Sequence, residues 1–192
     1  MVKEILMLLF ACVITNNICV SPGVGVLEVQ NPKRNIGYVA FVSLSITLLA
    51  AVTAVGYYYL HNLVLTAFDL EFLKIFILTV LVGILTFIVS GIAKKVNKEI
   101  TFLFDQNYSF LAIVAVTVGI LLFVNFESSI LTVVLSALFY GIGFTIINFM
   151  FYAFEERIQV RNVNIVFRSL PIILFTLSFI GLLFYAISMF LI

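Results

Sequence analysis

Two adjacent amides, Asn16 and Asn17, interrupt an uncharged apolar run that extends from Ile5 to Leu27. Each amide can bond a cation, a polar ligand or a neighbouring helix. Neighbouring side chains on a regular helix point about 100° apart, so both amides face one pocket only where the helix unwinds. Pro22, Gly23 and Gly25 follow within the same run. A proline removes a backbone donor and clashes with the preceding turn. The carbonyls it frees find no partner in hydrocarbon. These residues predict a broken first helix whose break faces protein or a polar cavity. Asn16, Asn17, Pro22, Gly23 and Gly25 would then line a binding site or ion path. Glu28 ends the run near Lys33 and Arg34 and supplies the acid that a cation site would need. The same residues also fit a plain helix ending near Val20, with the amides bonding other helices and Glu28 in an interfacial ion pair.

Little else in the chain has the spacing of a reactive centre. The single His61 and the two cysteines, Cys12 and Cys19, do not form a zinc-type pattern. Cys12 and Cys19 share one helical face and read as small core residues. There is no Gly-rich phosphate loop, no Walker lysine and no Ser/His/Asp set. No catalytic residue and no metal ligand is therefore predicted, and at most the chain is a non-catalytic subunit of an enzyme. A net charge of +1 carries no nucleic-acid footprint. Glu71 and Lys74, three residues apart, read as an interfacial ion pair. Gly141 and Gly143, with Ala137 one turn before, read as a site of close helix approach. Glu155-Glu156-Arg157 reads as a solvated helix end, or as a docking edge for a cytoplasmic partner.

The elements that position these residues are membrane spans. Of 192 residues, 64% are apolar and only 10% charged, with a mean hydropathy of +1.29. Soluble domains are roughly 45–50% apolar and 25% charged. A span needs roughly 20 apolar residues. Six candidates follow: Ile5–Leu27, Ile36–Leu60, Leu70–Ile92, Tyr108–Val124, Ile130–Phe154 and Leu170–Ile192. Tyr57-Tyr58-Tyr59 closes the second as an interfacial belt. Lys3 ahead of Ile5–Phe10, with Leu9-Phe10-Ala11-Cys12, imitates a lipoprotein signal. That apolar stretch is shorter than the roughly 7–15 residues of a secretory core, and hydrophobicity continues past Cys12, so the segment is expected to be retained.

Charge sets the orientation. Lys33, Arg34, Lys94, Lys95, Lys98, Arg157, Arg161 and Arg168 fall between spans one and two, three and four, or five and six. Only Lys3 and Lys74 fall on the other side. Basic residues mark cytoplasmic loops, so both termini are expected outside. A shift of 94 residues lays span two on span five and span three on span six, and Phe72-Leu73-Lys74 on Val166-Phe167-Arg168. Three spans per unit would invert the second unit. The expected organisation is a single transmembrane domain over 1–192, with one repeat over about 1–98 and the other over about 99–192.

Several stretches, in order, resemble the integral membrane subunits of Rnf and sodium-pumping quinone reductase (Nqr) complexes, in particular the type whose termini lie outside. They are Asn16-Asn17 in the first span, Lys33-Arg34 with Gly37, Asp69-Leu70 with Phe72-Leu73, and Tyr140-Gly141-Ile142-Gly143 in the fifth span. Glu156-Arg157-Ile158 through Val163 to Phe167-Arg168, and Leu177-Ser178-Phe179-Ile180-Gly181, complete the set. The resemblance covers essentially the whole length. It implies an all-α polytopic protein of six transmembrane helices in two inverted three-helix repeats, with helices 1 and 4 broken. It also implies pairing with a homologous six-helix subunit of opposite orientation, within a larger complex that couples redox to sodium or proton movement. In the family that pair holds a [2Fe–2S] cluster on cysteines from both partners. The matching positions here are Leu27 and Ala115. Cys19 is out of register. Clusters need thiolates, or occasionally His, so this chain is expected to bind no cofactor alone and to lack the family's cluster.

The expected function is a membrane subunit of an Rnf/Nqr-like electron transport complex, serving as scaffold or in ion coupling, in a bacterial or archaeal cell membrane. The alternative is a stand-alone inverted-repeat transporter of an ion or small solute. Vitamin-binding components of energy-coupling-factor importers resemble the chain in size, but they usually keep their termini in the cytoplasm, against the charge count. Membrane lipid is an expected partner in every case, and nucleic acid in none.

Overall fold

A computed structural model describes residues 36–96 and 106–160, together with individual helical positions between 171 and 189. The first candidate span, most of the sixth, and the expected site at Asn16, Asn17, Pro22, Gly23, Gly25 and Glu28 lie outside the described residues. So does Leu27.

Within the described residues every regular element is helical. Helix α1 is Ile36–Leu60 and continues through a π turn at His61–Leu65. A 3-10 turn, Glu71–Leu73, leads into α2, Lys74–Val96. Helix α3 is Gln106–Phe123 and α4 is Ile130–Val160. Three stretches are long and apolar enough to cross a membrane: Ile36–Leu65, Lys74–Ile92 and Ile130–Phe154. The apolar part of α3, Tyr108–Phe123, is shorter. The molecule is thus an all-helical protein of membrane character.

The second expected span coincides with α1. The third begins later than expected. Leu70 does not open a helix, because Asp69 turns the chain with φ of 52°. Short Asp side chains tolerate that left-handed conformation. Regular helix starts only at Lys74. The fifth span extends past Phe154, and Glu155-Glu156-Arg157 are helical. The expected break in the fourth span is corrected here: α3 is uninterrupted from Gln106 to Phe123. Nothing in that stretch forces an opening. It has no proline, and the space at its one glycine, Gly119, is filled by a neighbouring ring.

The four helices are apolar on all sides, so small and polar residues mark the faces that pack. On α2 the inward row is Leu78, Val82, Thr86 and Ser90, at strict four-residue spacing. Its other faces leave Ile75, Phe76, Ile84 and Phe87 exposed, an apolar surface suited to lipid contact. The polar members of the rows satisfy themselves along their own helices. Thr53 donates to the Leu49 carbonyl at 2.7 Å and Thr86 to that of Val82 at 2.8 Å. Such back-bonding lets a hydroxyl enter a span without an unpaired donor.

The core is made chiefly where α1 meets α4. Gly141 lies against the Thr47 side chain so closely that a Cβ there would collide with it. One turn before Thr47, Ser43 Oγ accepts a 3.2 Å hydrogen bond from Asn148 Nδ2. Moving forward along α1 from Ser43 to Thr47 moves backward along α4 from Asn148 to Gly141, so the two helices run antiparallel. Helix α3 fits in the same way: a Cβ on Gly119 would overlap the Tyr140 ring. Tyr140 is fully buried and stacks on Phe123 at 5.2 Å, so the ring has nowhere to move.

Gly119→Val is therefore expected to lower stability by about 1–3 kcal/mol, the usual cost of overpacking. Thermal unfolding in detergent would read this as a fall in midpoint. Gly83→Val, where nothing lies within 4 Å of an added Cβ, should leave the midpoint nearly unchanged.

Candidate functional site

The described residues contain two polar places that differ in kind. One is internal. Ser43 and Asn148 are buried at the α1–α4 seam and bond each other. Near α3, the Tyr140 hydroxyl donates to the Ala115 carbonyl at 2.8 Å. Two residues beyond, Thr117 Oγ1 is buried and has no hydrogen-bond partner among the described residues.

Ala115 is the described half of the position pair where the resemblance would have cluster cysteines. It is fully buried, and its carbonyl is covered by the Tyr140 phenol. A methyl group offers no electron pair to iron. Among the described residues no group of three or more His, Cys, Asp or Glu side chains is arranged to hold a metal ion. The surroundings of Ala115 do not fit an iron–sulfur cluster: the donor atom is lacking, and an aromatic side chain fills the volume beside it.

The second place is a cavity of about 170 Å³ at one end of the bundle. It forms where the turn after α1 meets the turn between α3 and α4. Tyr57 and His61 contribute from the last turns of the first described span, and Lys74 from the start of α2. Asn125, Phe126 and Glu127 contribute from the α3–α4 turn, with Leu121 and Val124 beneath.

Local sequence explains this arrangement. Tyr57, the first tyrosine of the expected interfacial belt, points inward and is 1% exposed. Its hydroxyl donates to the Lys74 carbonyl at 3.1 Å, tying the end of α1 to the first residue of α2. A carbonyl near the start of a helix is normally taken by the helix itself, so this bond adds a second acceptor interaction that fixes the hairpin. Phe126 packs edge-on to Tyr57 at 4.7 Å and stacks on His61 at 5.7 Å. Those contacts hold the two turns together. The α3–α4 turn is closed by its own side chain: Asn125 Oδ1 accepts the Glu127 N–H at 3.0 Å, an Asx turn. A π turn beginning at His61 widens the backbone beside the cavity, a distortion frequent at functional sites.

Chemically the cavity presents a cation in Lys74, an anion in Glu127, an amide and an imidazole. It has the inventory to bind a small polar group carrying charge of either or both signs. It lacks a nucleophile with an adjacent base, so it has no visible means of covalent catalysis.

Sequence spacing pairs Lys74 with Glu71, whereas the structure brings Lys74 to the same cavity as Glu127. The signal for this juxtaposition is in the topology. Loops after the second and fourth expected spans fall on the same side of a membrane, which joins His61 to Glu127. Asn148 gives no signal beyond its polarity within an apolar segment.

The chain was compared with models of known protein families and with characterised proteins, and neither comparison found a match.

Tyr57→Phe removes the hydroxyl that fastens α1 to Lys74. A loss of about 0.5–1.5 kcal/mol is expected, the worth of one hydrogen bond. Hydrogen exchange should report it as faster opening confined to residues 66–74, with α4 unaffected.

Proposed function

We propose that the chain is a membrane subunit of an Rnf/Nqr-like redox-driven, ion-translocating electron transport complex. Its role in that complex is scaffold or ion coupling, and it does not bind the cluster. The ordered set of motif stretches from Asn16-Asn17 to Gly181 supports this reading. One contact carries it further. The 94-residue shift that relates the two halves maps Thr47 onto Gly141, and these two residues touch at the α1–α4 crossing. In two units related by a two-fold axis, equivalent positions meet only beside the axis. An inverted repeat with its axis through this crossing would also require α1 and α4 to run antiparallel, as they do. The same symmetry would set the first span against the α4 side as α3 is set against the α1 side.

On this reading the chain has six spans in two inverted repeats and pairs with a homologous subunit of opposite orientation. It crosses a bacterial or archaeal cell membrane with both termini outside. The broken first helix at Asn16, Asn17, Pro22, Gly23 and Gly25, with Glu28, supplies the polar gap. With Leu27 and Ala115 at the positions of the family's cysteines, the electron relay does not run through this chain in the family's manner. The alternative is a stand-alone transporter on the same architecture, in which the Asn16–Gly25 gap would be the substrate path.

Affinity purification in mild detergent separates the two. The complex reading expects a second multi-span subunit of related sequence to co-purify, with flavoprotein or iron–sulfur partners. Recovery of the chain alone would sink it. The isolated chain should contain no stoichiometric iron or acid-labile sulfide, and finding both would contradict loss of the cluster. Reporter tags inserted at Asn31–Asn35 should report the cytoplasmic side.

A further inference from the structure

The cavity between the two turns lies at a defined depth. His61 belongs to the last part of the Ile36–Leu65 span and Lys74 opens the Lys74–Ile92 span. The cavity therefore sits where apolar helix gives way to the headgroup layer. Its surroundings are not those of a purely aqueous pocket. In the same connection Leu63, Phe68 and Phe72 are 69%, 70% and 77% exposed. A polar, charged hole thus borders a strongly apolar outer surface.

The lining is balanced in charge. Lys74 and Glu127 both contribute to it, and neither is buried, so both can reach a ligand at the mouth. Asn125 spends its carbonyl oxygen on the Glu127 N–H, which leaves its two amide hydrogens for an acceptor from outside. Phe126 adds an aromatic wall that can take a cation against its ring. A simple anion would meet Glu127, and a simple cation would meet Lys74. A group carrying both charges satisfies each residue. A volume of about 170 Å³ suits a small headgroup and is too small for a whole amphiphile.

We propose that this cavity binds the headgroup of a phospholipid that carries both a phosphate and a primary ammonium, of the phosphatidylethanolamine type. The phosphate lies against Lys74 and the Asn125 amide. The ammonium lies against Glu127 and the Phe126 ring. The acyl chains cover the apolar surface at Leu63, Phe68 and Phe72. This inference depends only on the chain lying in a membrane, so it stands or falls separately from the redox-complex reading.

The test uses the full chain, with whatever subunits accompany it, in nanodiscs of equal parts dioleoyl phosphatidylethanolamine, phosphatidylglycerol and phosphatidylcholine. The protein is then extracted into mild detergent and its retained lipid is quantified by mass spectrometry. Phosphatidylethanolamine should be enriched over the other two. Lys74→Met should cut its retention about tenfold, the effect of losing one charge-assisted contact. Glu127→Gln should move the preference towards phosphatidylglycerol, because the ammonium loses its partner. Neither side chain belongs to the core, and unchanged circular dichroism checks that the variants fold. Equal retention of the three lipids by the unaltered chain overturns the proposal. So does unchanged phosphatidylethanolamine retention in both variants. Saturable binding of free glycine to the delipidated chain, undiminished by added phosphatidylethanolamine, overturns it in favour of a soluble zwitterion.

Discussion

The close crossing of α1 and α4 is the constraint on which the described structure depends. Inside a membrane the hydrophobic effect does not draw helices together, because lipid is as apolar as leucine. Association must come from packing and from polar contacts. The crossing supplies both. Gly141 lets the Thr47 side chain seat against the α4 backbone, and the Ser43–Asn148 hydrogen bond fixes rotation and register nearby. Interhelical hydrogen bonds of this kind are worth about 0.6 kcal/mol on average. The bond therefore specifies the arrangement more than it stabilises it. Shape supplies the rest: Tyr140, next to Gly141 on α4, fills the groove at Gly119 and brings α3 into the assembly.

Helix α2 is held differently. It offers one narrow row, Leu78 to Ser90, and exposes many of its remaining side chains. Its attachment relies on the hairpin with α1, where Tyr57 bonds the Lys74 carbonyl and Asp69 reverses the chain. The end of the bundle that carries the polar cavity is therefore also the end that secures α2. Ligand binding and hairpin integrity draw on the same few residues.

Much of this is legible in the sequence because apolar length is a strong signal. Ile36–Leu60 can be read with its bounds intact, since Asn35 on one side and His61-Asn62 on the other punctuate it. For α2, hydropathy places the start at Leu70, four residues too early. It does not distinguish a 3-10 turn after a left-handed Asp69 from the helix proper. Glycine spacing marks Gly141 as a contact point, because a missing side chain has few other uses in a span. It does not name Thr47 as the partner. The break expected in the fourth span has no residue to cause it; that expectation comes from resemblance alone, and α3 is continuous. The cavity has no signature in local sequence, since it joins His61 to residues as distant as Glu127. Only the alternation of spans across a membrane connects them. The Asn16–Glu28 gap lies outside the described residues, and its role rests on backbone chemistry and family likeness.

Helix α4 has 31 residues, whereas its apolar membrane-length part is Ile130–Phe154. At about 1.5 Å per residue the remainder carries the chain roughly 9 Å beyond that part. Glu156 and Arg157 are exposed on this extension. Gly141, the pivot against Thr47, lies well inside the span. The helix is therefore a lever with its fulcrum buried and its long arm ending in charge. A tilt of about 10° at the pivot would displace Arg157 by roughly 4 Å. Small changes in how two helices touch deep in the hydrocarbon would thus become visible motion at the water surface.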